Sequence, residues 1–88
     1  MRRALIGKAM QRAVDAKLRR LFPGRFQLEP RLPGKTQKAD WLHTESGTYI
    51  DLTSIGDVAA HVRRYKRMVV PTGADVVIVP YRTWRWRV

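Results

Sequence analysis

The sequence predicts an α+β fold, an α/β sandwich in which two helices pack on a mixed sheet of three to five strands. Apolar residues recur at helical spacing over residues 5–22 and again over residues 55–69. Two alternating runs flank Ser46-Gly47, and a β-branched run occupies residues 76–79. We therefore expect a first helix, a sheet with a central hairpin, a second helix and final strands.

The first helix has one apolar stripe and one basic face. Pro23-Gly24 ends it. Its apolar stripe contains Ile6, Met10, Ala13, Val14, Leu18 and Leu21. The opposite face carries Lys8, Arg12, Arg19 and Arg20, which form either an ordinary solvated surface or a surface for an anionic ligand.

A short strand and a basic loop follow. Phe26 and Leu28 alternate with polar residues, and Pro30 and Pro33 end this strand. The loop over residues 30–38 is suited to phosphate contact, although its composition is also ordinary for a surface loop. Its basic residues are Arg31, Lys35 and Lys38.

The hairpin over residues 41–53 brings acidic residues together. With Ser46-Gly47 as a two-residue turn, the numbers of paired residues sum to 93. Because side chains alternate across a strand, Asp40, Asp51 and Thr53 then share one face. Asp40 and Asp51 become diagonal neighbours about 7 to 8 Å apart, close enough to share a divalent cation. The alternative is that each pairs with a nearby Lys or Arg.

The second helix begins after Ser54, which we expect to cap it with Asp57 as the acidic partner. Its apolar stripe runs from Ile55 to Val69. His61 and Tyr65 are one turn apart, so they either border the same site or pack partly in the core.

The β-branched run Val76–Val79 predicts a central strand that is buried on both faces. In the last eight residues, Trp84 and Trp86 alternate with Arg85 and Arg87. This pattern indicates either a final strand or a stacking surface for bases.

Composition indicates one domain, residues 1–88, with an anionic partner. The chain has 18 Lys and Arg against 7 Asp and Glu, for a formal net charge of +11. Such an excess repels itself in a compact state and favours a polyanion, most directly nucleic acid. Anionic membrane and an acidic protein are the competing partners.

Several classes of site are excluded by composition. The chain has no Cys, which excludes disulfides and thiolate metal sites, and two His residues alone cannot build a structural zinc site. Lys8 and Gln11 interrupt the apolar stretch behind the basic start, so we expect no signal peptide. No run approaches the roughly 20 apolar residues of a transmembrane helix. We expect a soluble domain without stable membrane insertion.

The order of elements, with Asp40 and the later Asp51-Leu52-Thr53, resembles the PD-(D/E)XK superfamily over nearly the whole chain. The resemblance implies a minimal restriction-endonuclease-like core. Within that superfamily, the chain is most similar to the small basic C-terminal toxins of contact-dependent growth inhibition and other bacterial polymorphic toxin systems.

The resemblance also implies roles for individual residues. In the family, two acidic side chains on neighbouring strands hold Mg²⁺ or a related ion, and a Lys two residues further on orients or deprotonates the attacking water. Asp40 and Asp51 match the acidic positions, whereas Thr53 stands where the family has Lys. Lys38, two residues before Asp40, is the candidate to replace that cation.

Family members often add an acidic residue from the first helix. Asp15 is the candidate for this third metal ligand, with Gln11 as the weaker alternative. Asp15 can instead pair with Arg12 or Arg19 on the same helix.

We therefore expect a metal-dependent nuclease toxin with Mg²⁺ as its cofactor and RNA, such as tRNA, favoured over DNA. The resemblance further implies an acidic immunity protein and delivery into the cytoplasm of a target cell, as the C-terminal part of a larger secreted bacterial protein. The candidates for substrate binding are Arg12, Arg19, Lys35, Arg64, Arg85 and Arg87.

Two alternatives remain open. In a metal-independent ribonuclease, His61 with Tyr65 or Lys66 performs acid–base chemistry on the 2′-hydroxyl. In a non-catalytic binding module, the Arg and Trp residues of the C-terminal segment hold nucleic acid without cleaving it.

Overall fold

The computed structural model describes residues 2–69 and 73–82, with the backbone alone for residues 2–6. Two helices and four strands follow one another, and a 3-10 turn over Ile55–Asp57 precedes the second helix. The elements are α1 (Arg2–Leu21), β1 (Phe26–Leu28), β2 (Trp41–His43), β3 (Thr48–Ser54), α2 (Val58–Val69) and β4 (Val76–Tyr81).

The four strands form one mixed sheet in the order β1-β2-β3-β4. The first two pairs are antiparallel, and β3 and β4 are parallel, with α2 as the connection between them. The predicted α+β class is thereby confirmed. None of the helices among the described residues is long and apolar enough to cross a membrane.

Helix α1 begins at Arg2, three residues before the predicted start, and ends at Leu21. Gly24 follows with a positive φ of 75°, which suits glycine at the end of a helix. The basic face of α1 is exposed as predicted, but Ala13 and Leu21 are exposed as well. The apolar stripe of α1 is therefore narrower than its sequence indicates.

The hairpin has a four-residue loop, Thr44 to Gly47, so the predicted two-residue turn is wrong. The Gly47 amide donates to the His43 carbonyl at 2.9 Å and closes this loop, while the Thr44 amide donates to the Arg25 carbonyl at 3.1 Å. Trp41 pairs with Ile50, so paired numbers sum to 91 rather than 93. The predicted two-residue loop and the observed four-residue loop both have an even number of residues. Each side chain of the hairpin strands therefore lies on the predicted face of the sheet.

The predicted capping of the second helix is wrong in detail. The Ser54 hydroxyl donates to the Asp57 carboxylate at 2.7 Å, but the side chain of Ser54 does not cap the backbone. Tyr65 and Val69 then pack from α2 against a core that also contains Leu32 and Ala39.

Strand β4 is not central, contrary to the sequence prediction. Within the described part of the chain it lies at the edge of the sheet, beyond β3. Val76 and Ile78 pack against the core near α2, whereas Val77 and Val79 are 49% and 40% exposed on the other face. Pro80 has no amide hydrogen to donate and is compatible with an edge position.

Candidate active site

Asp40 and Asp51 meet at the junction of β2 and β3. Asp51 lies within β3 and is 5% exposed, and Asp40 immediately precedes β2. The Asp40 amide donates to the Ile50 carbonyl at 3.1 Å, and its carboxylate accepts a 2.7 Å hydrogen bond from the Leu52 amide. These bonds hold the Asp40 side chain beside the Asp51 carboxyl group, with which it interacts.

This proximity changes the protonation of Asp40. Burial, and then the charge of Asp51, raise the pKa of Asp40 from its ordinary 3.8 to about 7, although the Leu52 hydrogen bond opposes the rise. Two neighbouring carboxylates cannot both ionise cheaply. The pair therefore retains a proton near neutral pH unless another cation takes its place.

Helix α2 supplies two further side chains to this pair. His61 Nδ1 lies 2.9 Å from Asp51 Oδ2, and the Tyr65 hydroxyl interacts with the same carboxylate. Burial, followed by the Asp51 charge, raises the pKa of Tyr65 above its usual range. Because His61 and Tyr65 are one helical turn apart, both reach β3 from α2. Tyr65 also packs in the core.

Thr53 and Lys38 take up different environments. Thr53 is 4% exposed and lies on the same face of β3 as Asp51, so it places a neutral, buried hydroxyl there. Lys38 is exposed and lines a cavity together with Asp40. Of these two candidates, only Lys38 is charged, and it borders the cavity that Asp40 also lines.

The structure does not bring Asp15, the candidate third metal ligand, to the carboxylate pair. Asp15 accepts hydrogen bonds from Trp41 Nε1 at 3.1 Å and from Arg19 Nε at 2.8 Å. Trp41 lies on the opposite face of the sheet from Asp51. Among the described residues, no three His, Cys, Asp or Glu side chains form a group that could hold a metal ion. The alternative pairing of Asp15 with Arg19 is confirmed.

Most of the candidate substrate-binding residues are exposed. Arg12, Arg19 and Lys35 lie on the surface, and Arg19 is engaged by Asp15. Arg64 is exposed, and its guanidinium lies 5.7 Å from the centre of the Tyr65 ring. Arg85 and Arg87, with their Trp neighbours, lie outside the described residues.

Sequence reasoning missed Glu29. Its φ of 51° is left-handed, which is rare for glutamate, and the residue before a proline is normally extended. Its amide donates to the Asp40 carbonyl at 2.8 Å, and its charge raises the pKa of Asp40 further. A backbone conformation of this kind leaves no signal in the sequence.

Tyr81 was also missed. It ends β4 opposite Ser54, and burial followed by the charges of Asp40 and Asp57 raises the pKa of its hydroxyl. It lies at the carboxyl ends of the parallel strands β3 and β4, where ligands commonly bind in sheets of this kind.

Comparisons with protein-family models, with curated proteins and with solved structures gave no significant match.

Proposed function

We propose that this protein is a metal-dependent phosphodiesterase that cleaves nucleic acid at Asp40 and Asp51. The observation that carries the proposal is the contact between two partly or fully buried carboxyl groups in a chain of net charge +11. A carboxylate pair is costly to bury without a cation. An excess of basic residues elsewhere suits a phosphate backbone.

The pair fits a divalent cation such as Mg²⁺. Asp40 holds its proton up to a pH of about 7, so a cation would take the place of that proton. Mg²⁺ is commonly held by one or two carboxylates and completes its shell with water and substrate phosphate oxygens. When bound, it would polarise the phosphate and lower the pKa of a bound water. Asp40 and Asp51 would hold it.

The surrounding residues position and balance this pair. Tyr65 and His61 fix the Asp51 carboxylate, and His61 is placed to accept or donate a proton. Its side chain is 25% exposed, so it reaches solvent. Lys38 balances negative charge at the phosphate in place of the Lys that the family has at Thr53.

The toxin interpretation rests on the resemblance and is part of the proposal. It is supported by the order of elements, a helix, three antiparallel strands, a second helix and a parallel strand, with the two carboxylates at the start of β2 and within β3. On this interpretation the substrate is RNA, such as tRNA, in preference to DNA. An acidic immunity protein covers the basic surface, and a larger secreted protein delivers the domain.

A metal-independent ribonuclease is the second candidate. It is favoured by the 2.9 Å contact between His61 Nδ1 and the buried Asp51 carboxylate. A carboxylate in this position orients the imidazole ring, as in other acid–base pairs. In this mechanism His61 acts on the 2′-hydroxyl, and Asp40 is not required to bind a cation.

One experiment separates the candidates: incubation with tRNA, rRNA and plasmid DNA in Mg²⁺, Mn²⁺, Zn²⁺ or EDTA. We expect cleavage with Mg²⁺ or Mn²⁺, none in EDTA, and none by Asp40→Asn. Asp75→Asn changes an exposed carboxylate and serves as the matched control.

Cleavage that persists in EDTA and in Asp40→Asn but disappears in His61→Ala would overturn the metal-dependent mechanism in favour of the second candidate. Intact RNA and DNA under every condition, with steeply salt-dependent binding, would instead indicate a non-catalytic binding module.

A further inference from the structure

A cavity of about 440 Å³ opens between α1 and Asp40, on the side of the carboxylate pair away from α2. Its volume lies within the roughly 300 to 1,000 Å³ usual for small-ligand sites. It is lined by Lys8, Gln11, Glu29, Lys38, Asp40 and Leu52. Two small residues, Gly7 and Ala39, complete the lining.

Gln11 has hydrogen-bonding capacity that the described part of the protein does not use. The residue is 91% buried, since its relative exposure is 9%. Its side-chain amide makes no hydrogen bond to another described residue. No side-chain polar atom in the described part of the chain is both fully buried and without a partner, so the amide of Gln11 reaches solvent through the cavity. It offers two donors and one acceptor to a ligand there.

The charges around the cavity are mixed. Lys8 and Lys38 are positive, whereas Glu29 and Asp40 bring carboxyl groups. A bare phosphate would be repelled by the carboxylates, and a carboxylate can only accept hydrogen bonds. The lining instead matches a ligand that carries a phosphate together with hydroxyl or amino donors.

Glu29 is held at this cavity at a conformational cost. Left-handed backbone is unfavourable for a residue with a Cβ, yet Glu29 adopts it with a φ of 51°. The hydrogen bond from its amide to the Asp40 carbonyl maintains this position. A glycine would adopt the same backbone without strain, so the fold itself does not require a glutamate here.

We propose that this cavity binds one nucleotide of the substrate, with Gln11 and Glu29 contacting its sugar or base and Lys8 and Lys38 pairing with its phosphate. Its position beside the scissile phosphate rests on the proposed function. An amide and a carboxylate together recognise ribose hydroxyls or base edges. Gln11 and Glu29 are then specificity residues rather than metal ligands.

The test is an NMR titration of the ¹⁵N-labelled chain in EDTA, so that it depends on neither metal nor cleavage. The probes are the four 5′-ribonucleoside monophosphates, their 2′-deoxy counterparts and inorganic phosphate. We expect saturable amide shifts at Lys8, Gln11, Glu29 and Lys38 with at least one nucleotide, and about tenfold weaker binding of phosphate. Deoxynucleotides distinguish recognition of the 2′-hydroxyl from recognition of the base.

Matched variants complete the test. Gln11→Met keeps the side-chain volume and Glu29→Gln keeps the shape, and we expect each to weaken nucleotide binding about tenfold. Gln27→Met and Glu45→Gln change exposed residues outside the cavity and should leave binding unchanged. Glu29→Gly should melt at the same temperature as the wild type or higher and still lose affinity, which separates ligand contact from folding.

The proposal is overturned if no nucleotide shifts the cavity residues, if phosphate binds as well as nucleotides do, or if the Gln11 and Glu29 variants bind normally. Nucleotide binding here without any cleavage of RNA or DNA would refute the proposed function and leave the nucleotide site standing. Cleavage of RNA or DNA without nucleotide binding at the cavity would refute the nucleotide site and leave the proposed function standing.

Discussion

The two sides of the carboxylate pair differ in how many of their polar side-chain groups form hydrogen bonds within the protein. On the α2 side, Asp51 is engaged by His61 and Tyr65 and is almost wholly buried. On the α1 side, Asp40 borders an open cavity, and the Gln11 amide there bonds to no other described residue.

This difference separates positioning from recognition. Side chains whose hydrogen bonds are satisfied internally hold one geometry, whereas unused donors and acceptors at a cavity are available to a ligand. Changes on the α2 side should therefore lower kcat and alter stability. Changes to the cavity residues Gln11 and Glu29 should act mainly on KM.

The largest effect is expected from Asp51→Asn, because both candidate mechanisms use this carboxylate. The substitution removes a cation ligand and the partner of His61 while keeping the side-chain shape. We expect cleavage of the substrate RNA to fall about 1,000-fold or more, on the scale seen when electrostatic stabilisation at a reacting centre is lost. Initial rates measured beside Asp75→Asn test this, and a fall of less than tenfold would remove Asp51 from the chemistry.

His61→Gln should lower kcat about 100-fold with little change in KM, because an acid–base group contributes at least this much. The second histidine provides a matched control. His43 contacts the Phe26 ring and the Ser46 hydroxyl on the hairpin, away from Asp51. His43→Gln should cleave within twofold of wild type, and an equal loss in both variants would show that the effect is structural.

The carboxylate pair should make stability depend on pH. The pKa of Asp40 is about 7 in the folded chain and about 3.8 when unfolded, so the folded state binds more protons between these values. The contribution of Asp40 to the free energy of unfolding is therefore most favourable below pH 4, and it is lost as the pH rises to about 7.

Melting temperatures of wild type and Asp40→Asn across this range measure the effect. The difference between the two curves should narrow or change sign as the pH rises. Mg²⁺ should raise the wild-type melting temperature more at pH 8 than at pH 5, because it competes with the proton. Equal stabilisation by Mg²⁺ at both pH values would contradict a cation at this pair.

Tyr65→Phe should have the smallest effect. It removes the hydroxyl that faces Asp51 but keeps the ring, which is 4% exposed in the core. We expect the free energy of unfolding to fall by about 1 kcal/mol, with kcat lowered several-fold at most. Urea denaturation measures the first quantity. If KM alone changed, the assignment of the α2 side to positioning would be wrong.

The face of each hairpin residue was predictable and the pairing register was not. Alternation along a strand and an even-numbered loop put Asp51 and Thr53 on one face whatever the loop length. The loop is closed by the Gly47 amide, which donates to the His43 carbonyl, and Thr44 is bonded instead to Arg25, 19 residues away in the chain. The shift of two residues changes which side chain stands opposite Asp51.

The partners of Asp15 and the position of β4 in the sheet were likewise not predictable from local sequence patterns. Helical spacing allows Asp15 to pair with Arg12 or Arg19, but only the tertiary structure brings Trp41 Nε1 within hydrogen-bonding distance of its carboxylate. The run Val76–Val79 fits a buried strand, but its pairing with β3 alone leaves Val77 and Val79 exposed within the described residues. Whether an apolar strand is covered depends on the elements that pack on it.

The sequence by itself determined the positive charge, the two helices, the hairpin and the shared face of Asp51 and Thr53, because these follow from composition and from local periods of 2 and 3.6 residues. Tertiary structure alone decided that Asp40 stands directly opposite Asp51 instead of diagonal to it, which partners Asp15 has, and the left-handed Glu29 beside a cavity. Those features depend on contacts between residues distant in the chain, which no local pattern encodes.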